Sequence, residues 1–161
     1  MLTCRLLPKW VLLLACVGAV SLVAAEAPKA PELSLKTLGG QALRLARSGT
    51  VTELLFVARW CPPCEKAVAG ARRRLGAFQR KGYRLIVVGT SRRESLEQFH
   101  RWTSRMSLRG PVVFDEGGRA EGAFGAELLP WYVVIDAQGR IIHSGSEPFP
   151  QAKLRALIGR R

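Results

Sequence analysis

Trp60-Cys61-Pro62-Pro63-Cys64 stands between an apolar run, residues 54–58, and a segment with helical spacing. The apolar run reads as a buried strand. Two cysteines separated by two residues can close into a disulfide if they occupy the first turn of a helix. There, backbone N–H groups without helical partners and the positive end of the helix dipole favour a thiolate. Pro62 and Pro63 suit such a start, because a first-turn residue has no helical N–H bond to lose. This stretch is the candidate active site.

Working outward, residues 51–58 are nearly all apolar and predict a central strand. Beyond Cys64, the residues Ala67, Val68, Ala71, Leu75 and Phe78 share one helical face, with Arg72-Arg73-Arg74 largely on the others. Gly82 is the expected end of that helix. Residues 85–88 predict a second buried strand, and strand, helix, strand in succession implies a parallel crossover. Ser91 and Glu94 have capping-box spacing. They predict a second helix carrying Leu96, Phe99, Trp102 and Met106 to about Ser107. A short strand over 112–114, a short helix near 120–124 and a buried strand over 131–135 follow. Asp136-Ala137-Gln138-Gly139 turns the chain into an antiparallel partner over 140–143. Pro150 opens a last helix with Leu154, Leu157 and Ile158. Upstream, Leu33 and Leu35 alternate, as do Leu43 and Leu45, on either side of Gly39-Gly40. They predict a β-hairpin at the domain edge, preceded by an extended linker over 26–32.

The chain has 161 residues, 48% hydrophobic and 23% charged, enough for one globular domain. Its net charge is +13, with 25 Lys and Arg against 12 Asp and Glu. The arginines are scattered and no aromatic residues alternate with them, which argues against nucleic-acid binding. Residues 1–25 read as an export segment: Arg5 and Lys9, then an uncharged apolar run from Trp10 to Ala25, ending in small residues before Glu26. Cleavage, retention of residues 10–25 as a membrane tether, and lipidation at Cys16 in Leu13-Leu14-Ala15-Cys16 all remain open. Each places the domain, residues 26–161, outside the cytoplasm, in a periplasmic or cell-envelope setting. That domain keeps two cysteines, Cys61 and Cys64, too few for a structural disulfide framework. With only His100 and His143 besides, it also falls short of an ordinary structural zinc site, so no metal is expected.

The order of elements around Trp60-Cys61-Pro62-Pro63-Cys64 resembles the thioredoxin fold. Together with Leu129-Pro130, the strand beginning at Trp131 and the turn to Gly139-Arg140-Ile141-Ile142, it resembles more narrowly the exported thiol-disulfide oxidoreductases of the TlpA/ResA type. The resemblance spans roughly residues 31–158. It implies an α/β fold, a central mixed sheet flanked by helices, with an N-terminal β-hairpin and a TlpA-type helix-strand insertion. It implies a cis peptide at Pro130, with Leu129 and Pro130 facing the motif and Leu129 pairing with the substrate backbone. Cys61 would be the nucleophile, Cys64 the resolving thiol, and Trp60, Pro62 and Pro63 the surrounding support. The redox-active disulfide would be the only prosthetic chemistry. Protein thiols and disulfides would be the substrates, with cytochrome c maturation among the open settings, and a membrane protein of the DsbD/CcdA type would supply electrons.

The chain also departs from that pattern. Many ResA-like proteins carry Glu three residues after the second cysteine and Pro two further on, where this chain has Ala67 and Ala69. Classical thioredoxins bury Asp six residues before the first cysteine, where this chain has Leu55. Glu53 and Glu65 are the remaining candidates for a proton shuttle, and Arg59 and Lys66 for additional thiolate stabilisation. Trp131 and Tyr132 read as core rather than recognition residues. Two other chemistries use the same fold. A thiol peroxidase would place Thr where this chain has Ala58. A Sco-like copper-binding or assembly protein would need a longer cysteine spacing and a distant His, for which only His143 could serve.

Overall fold

A computed structural model describes residues 26–78 and 81–159 of the chain. The expected export segment, its cleavage and the lipidation site at Cys16 lie outside the described residues. Five strands form one mixed sheet: β3 (Val51–Val57), β4 (Tyr83–Thr90), β5 (Val112–Asp115), β6 (Trp131–Ile135) and β7 (Ile141–Gly145). Two more, β1 (Ser34–Lys36) and β2 (Ala42–Arg44), form a separate hairpin. The helices are α1 (Cys64–Phe78), α2 (Leu96–Ser104), α3 (Arg119–Phe124) and α4 (Gln151–Gly159).

The large sheet has the order β5-β4-β3-β6-β7, with β3, β4 and β5 parallel and β6 and β7 antiparallel. Every residue of β3 is buried, as its apolar run predicts for a central strand. Alternation then divides the core. Val51, Leu55 and Val57 face α1, α2 and α4, while Leu54 and Phe56 face α3 and the N-terminal segment. On the first face, Gly89 lies where a Cβ would stand 2.3 Å from the Phe99 ring, so this strand position must be glycine for α2 to seat. Phe56 and Phe99 are fully buried. Truncating either to Ala would cost about 3–5 kcal/mol.

Two local expectations change. Residues 28–30 are no linker: the Ala30 N–H donates to the Gly139 carbonyl, the Ile141 N–H donates to the Pro28 carbonyl, and Lys29 bridges Arg140. The chain then crosses the sheet to the far edge, where Thr37 bridges Val113, so the hairpin covers a core face with Leu33, Leu35 and Leu43. α1 is described as far as Phe78, and Gly82 beyond it has φ 73°. The capping box of α2 is Ser95 with Gln98, not Ser91 with Glu94, and the helix closes at Ser104.

Parallel pairing of Val57 with Gly89 and of Thr90 with Asp115 gathers the carboxyl ends of three strands at one end of the sheet. Antiparallel pairing of Phe56 with Trp131 brings the start of β6 to the same end. In open α/β sheets this is where ligand crevices form. The cysteine motif follows β3 directly.

Candidate active site

Cys61 and Cys64 are joined in a disulfide with their Cα atoms 5.4 Å apart. Cys64 is the first residue of α1, and Cys61 sits in the turn before it rather than inside the helix. The Cys64 N–H donates to the Cys61 carbonyl (3.0 Å) and the Ala67 N–H to Pro63 (3.1 Å), so the turn runs continuously into α1. Cys64 is fully buried and Cys61 retains 4% exposure, so the accessibility expected of Cys61 is slight in this oxidised form. Pro62 and Pro63 are exposed. Both cysteines belong to the α1-side core cluster, against which Trp60 and Leu129 pack as half-buried neighbours.

The Leu129–Pro130 peptide is cis and immediately precedes β6. The register pairs the next residue, Trp131, with Phe56, five residues before Cys61. Sequence reading did not single out the segment that links this wall to the motif. The Arg92 carbonyl accepts from Trp60 Nε1. The same residue's guanidinium donates to the carbonyls of Glu127 (3.0 Å) and Ala126 (2.8 Å) and to Glu121 (3.0 Å). Arg92 thus joins the motif, α3 and the approach to Pro130. Arg93 adopts φ 58°, uncommon for a residue with a side chain, and stacks its guanidinium over the Trp60 ring at 5.3 Å. The residues that clasp Trp60 come from one loop.

The acids are arranged differently from expectation. Glu53 is wholly buried eight positions before Cys61, about 13 Å along the strand from Val57. Its carboxylate accepts from Arg74 Nε (3.1 Å) and Nη2 and from the Tyr83 hydroxyl. Burial pushes the Tyr83 phenol up, and the Glu53 charge adds to it. Burial would lower the Arg74 guanidinium, but Glu53 outweighs that and raises it. Glu53 is therefore part of a structural ion pair. Glu65 accepts from Trp102 Nε1 at 3.4 Å. The buried acid beside the motif is Glu94. Its side chain is fully out of water and accepts from the Arg59 N–H at 3.1 and 3.2 Å, with the Arg59 guanidinium 3.8 Å away. Burial raises the Glu94 carboxyl, and the Arg59 N–H and charge partly offset this.

Glu94 was hidden in the sequence by its apparent capping role. The adjacent Ser95-Leu96-Glu97-Gln98, which satisfies the same pattern, was the available signal. Tyr132 is buried, and Trp131 is half-buried with its indole donating to Ser144 at 3.0 Å, so both occupy the packing positions expected of them. His143 shares a 2.8 Å hydrogen bond with the Glu147 carbonyl and packs against Phe149. Among the described residues, no group of three or more His, Cys, Asp and Glu side chains is placed to hold a metal ion.

A model of the Redoxin family matches residues 25–158. The thiol-disulfide oxidoreductase ResA of Halalkalibacterium halodurans is 30% identical over 114 residues, 69% of this chain and 64% of that protein. The thioredoxin-like protein YneN of Bacillus subtilis is 28% identical over 124 residues, 75% of this chain and 72% of that one. The chain thus spans less than two thirds of the length of several curated relatives it matches. Among solved structures, StoA from Bacillus subtilis superposes with a TM-score of 0.67 at 22% identity, over 79% of this chain and 96% of that one. A thiol:disulfide interchange protein from Chlorobium tepidum superposes with a TM-score of 0.70 at 21% identity, over 84% and 99%. These likenesses identify the fold as the thioredoxin fold.

Proposed function

Because the chain belongs to the Redoxin family and holds Cys61 and Cys64 in a disulfide at the head of α1, we propose that it is a thiol-disulfide oxidoreductase working on proteins outside the cytoplasm. The disulfide at the carboxyl end of the sheet, with Pro130 at the same end, is the observation that carries this reading. In the reducing direction, the Cys61 thiolate attacks one sulfur of a substrate disulfide. A Cys61–substrate disulfide forms and the second substrate sulfur leaves as thiolate. The Cys64 thiolate then attacks the Cys61 sulfur and expels the other substrate thiolate. The Cys61–Cys64 disulfide returns, two electrons have passed to the substrate, and its two thiolates take up protons from solvent. The reverse sequence oxidises a dithiol.

Each neighbour has a part in this reading. The start of α1 supplies dipole stabilisation for the Cys61 thiolate. Leu129 and Pro130 form the wall against which the substrate backbone lies. Trp60, held by Arg92 and Arg93, borders the sulfurs. Pro62 and Pro63 shape the turn that separates the cysteines. No cofactor beyond the disulfide is required. Resetting the pair for reduction requires an electron donor, which we take to be a membrane protein of the DsbD/CcdA type. Among the described residues no helix is long and apolar enough to cross a membrane, and residues 10–25 are the tether we propose.

Replacing Cys64 with Ser should leave Cys61 able to attack but unable to resolve. Mixed disulfides to Cys61 should then accumulate and release on adding dithiothreitol. If none forms with protein or model disulfides, this function is wrong. The direction is read from the reduction potential of the pair: about −250 mV or lower marks a reductase, and one near −120 mV an oxidant.

A further inference from the structure

Beside the motif lie two clefts that share Arg105, one between α2 and the turn before α1 and the other between α1 and α2. One, about 530 Å³, is lined by Arg59, Gln98, Arg101 and Arg105. The other, about 410 Å³, continues from Arg105 to Arg72 over an apolar floor that includes Val68, Trp102 and Met106. Each cleft reaches the motif, the first through Arg59, two residues before Cys61, and the second through Glu65, next to Cys64. Arg59 lies 3.8 Å from the buried Glu94 carboxylate, and the rest of the positive charge there is poorly compensated. Arg72 donates to the Met106 carbonyl and Arg105 to the Arg101 carbonyl, so neither bond involves a carboxylate. Arg101 pairs only with Glu97, and both side chains are mostly exposed, an arrangement that contributes little. Glu65 is the one acid on this lining, and Trp102 holds it.

We infer that this double cleft is the docking surface for an acidic segment of the protein whose cysteines react with Cys61, an inference that rests on the thiol-disulfide reading above. Carboxylates of the partner meet Arg59, Arg101, Arg105 and Arg72, and an apolar side chain between them lies over Trp102 and Met106. Charge complementarity speeds encounter and fixes which way the partner chain runs past the disulfide. A flat anionic bilayer meets the rims of such clefts but not their apolar floor, so a polypeptide is the better fit.

The test uses a cysteine-free peptide of Asp and Glu around a central Leu, its Lys counterpart, and the neutral substrate bis(2-hydroxyethyl) disulfide. The acidic peptide should bind at least tenfold more tightly than the basic one at low salt. Arg101→Glu with Arg105→Glu should abolish that preference, and 0.5 M NaCl should flatten it. Linked to a disulfide, the acidic peptide should show the same tenfold advantage in KM, while turnover of the neutral disulfide stays unchanged in the double variant. Equal binding of the two peptides, or a preference that survives the double reversal, overturns the inference. So does binding to phosphatidylglycerol vesicles through these arginines without discrimination between peptides. Failure of the wild-type protein to reduce the neutral disulfide would instead defeat the thiol-disulfide reading, because the cysteine-free peptide reports on the clefts alone.

Discussion

Glu53 and Glu94 are both buried in this domain, and their surroundings divide structure from chemistry. Glu53, inside β3, is met by the Arg74 guanidinium and the Tyr83 hydroxyl and is closed off by neighbouring strands. Glu94, in the loop after β4, is met by one backbone N–H and by a partly exposed arginine 3.8 Å away. The first is a saturated pair whose carboxylate oxygens are engaged by Arg74 and Tyr83, away from the cysteines. The second lies on the turn that delivers Cys61, with a neutral form favoured by burial. A buried acid gains chemical interest when its charge is under-compensated and its location adjoins the reacting atoms.

The largest effect expected from this contrast concerns Arg74. Arg74→Met leaves Glu53 buried without its cation, which should cost about 3–5 kcal/mol in a denaturant titration. The folded fraction should retain the thiol reactivity of wild type. Loss of reactivity at full folding would mean that Glu53 communicates with the cysteines, and the division drawn here would break.

A middle-sized effect is expected at Arg92. Arg92→Ala removes charge-assisted bonds to the carbonyls of Ala126 and Glu127 and should cost about 1–3 kcal/mol. Its backbone carbonyl, and hence the Trp60 bond, is kept. The wall before Pro130 should loosen, raising KM for a protein disulfide more than it lowers kcat. Arg92→Lys should rescue stability better than KM, because an ammonium cannot reproduce the fork. A pure stability loss with unchanged KM would reduce Arg92 to a packing residue.

The division also explains what could be read from the sequence. The central strand, the cysteine turn and the β6–β7 hairpin are local patterns, each with a short-range physical cause, and the structure has all three. The clasp on Trp60 is different in kind: Arg92 meets residues 34 and 35 positions downstream, and nothing in its neighbours announces that. The N-terminal residues 28–30 looked like linker because Pro28 and Pro31 break helices and strands alike, yet their backbone pairs with residues 139–141. Glu94 was misread for a subtler reason. Two adjacent four-residue windows satisfy the capping pattern, and only the tertiary position of the Arg59 N–H decides between them. The missing Glu at Ala67 and Asp at Leu55 were plain from the start, whereas the acid that lies near the motif comes from another loop.

The smallest effect, and the sharpest, is the pH dependence of Glu94. Glu94→Gln keeps an oxygen to accept the Arg59 N–H, so the fold should be preserved. Burial raises the wild-type carboxyl above its ordinary value near 4.5, with Arg59 opposing. Between the ordinary and the raised value, the folded chain holds a proton that the unfolded chain has lost. Folded-state stability therefore falls as pH rises through that window and levels off above it. Gln does not titrate. The difference in Tm, wild type minus Glu94→Gln, should decline with rising pH from about 4.5 and then become constant. A difference that instead climbs with pH would mean that Arg59 wins over burial. Glu94 would then be a second compensated ion pair, and the contrast with Glu53 would disappear.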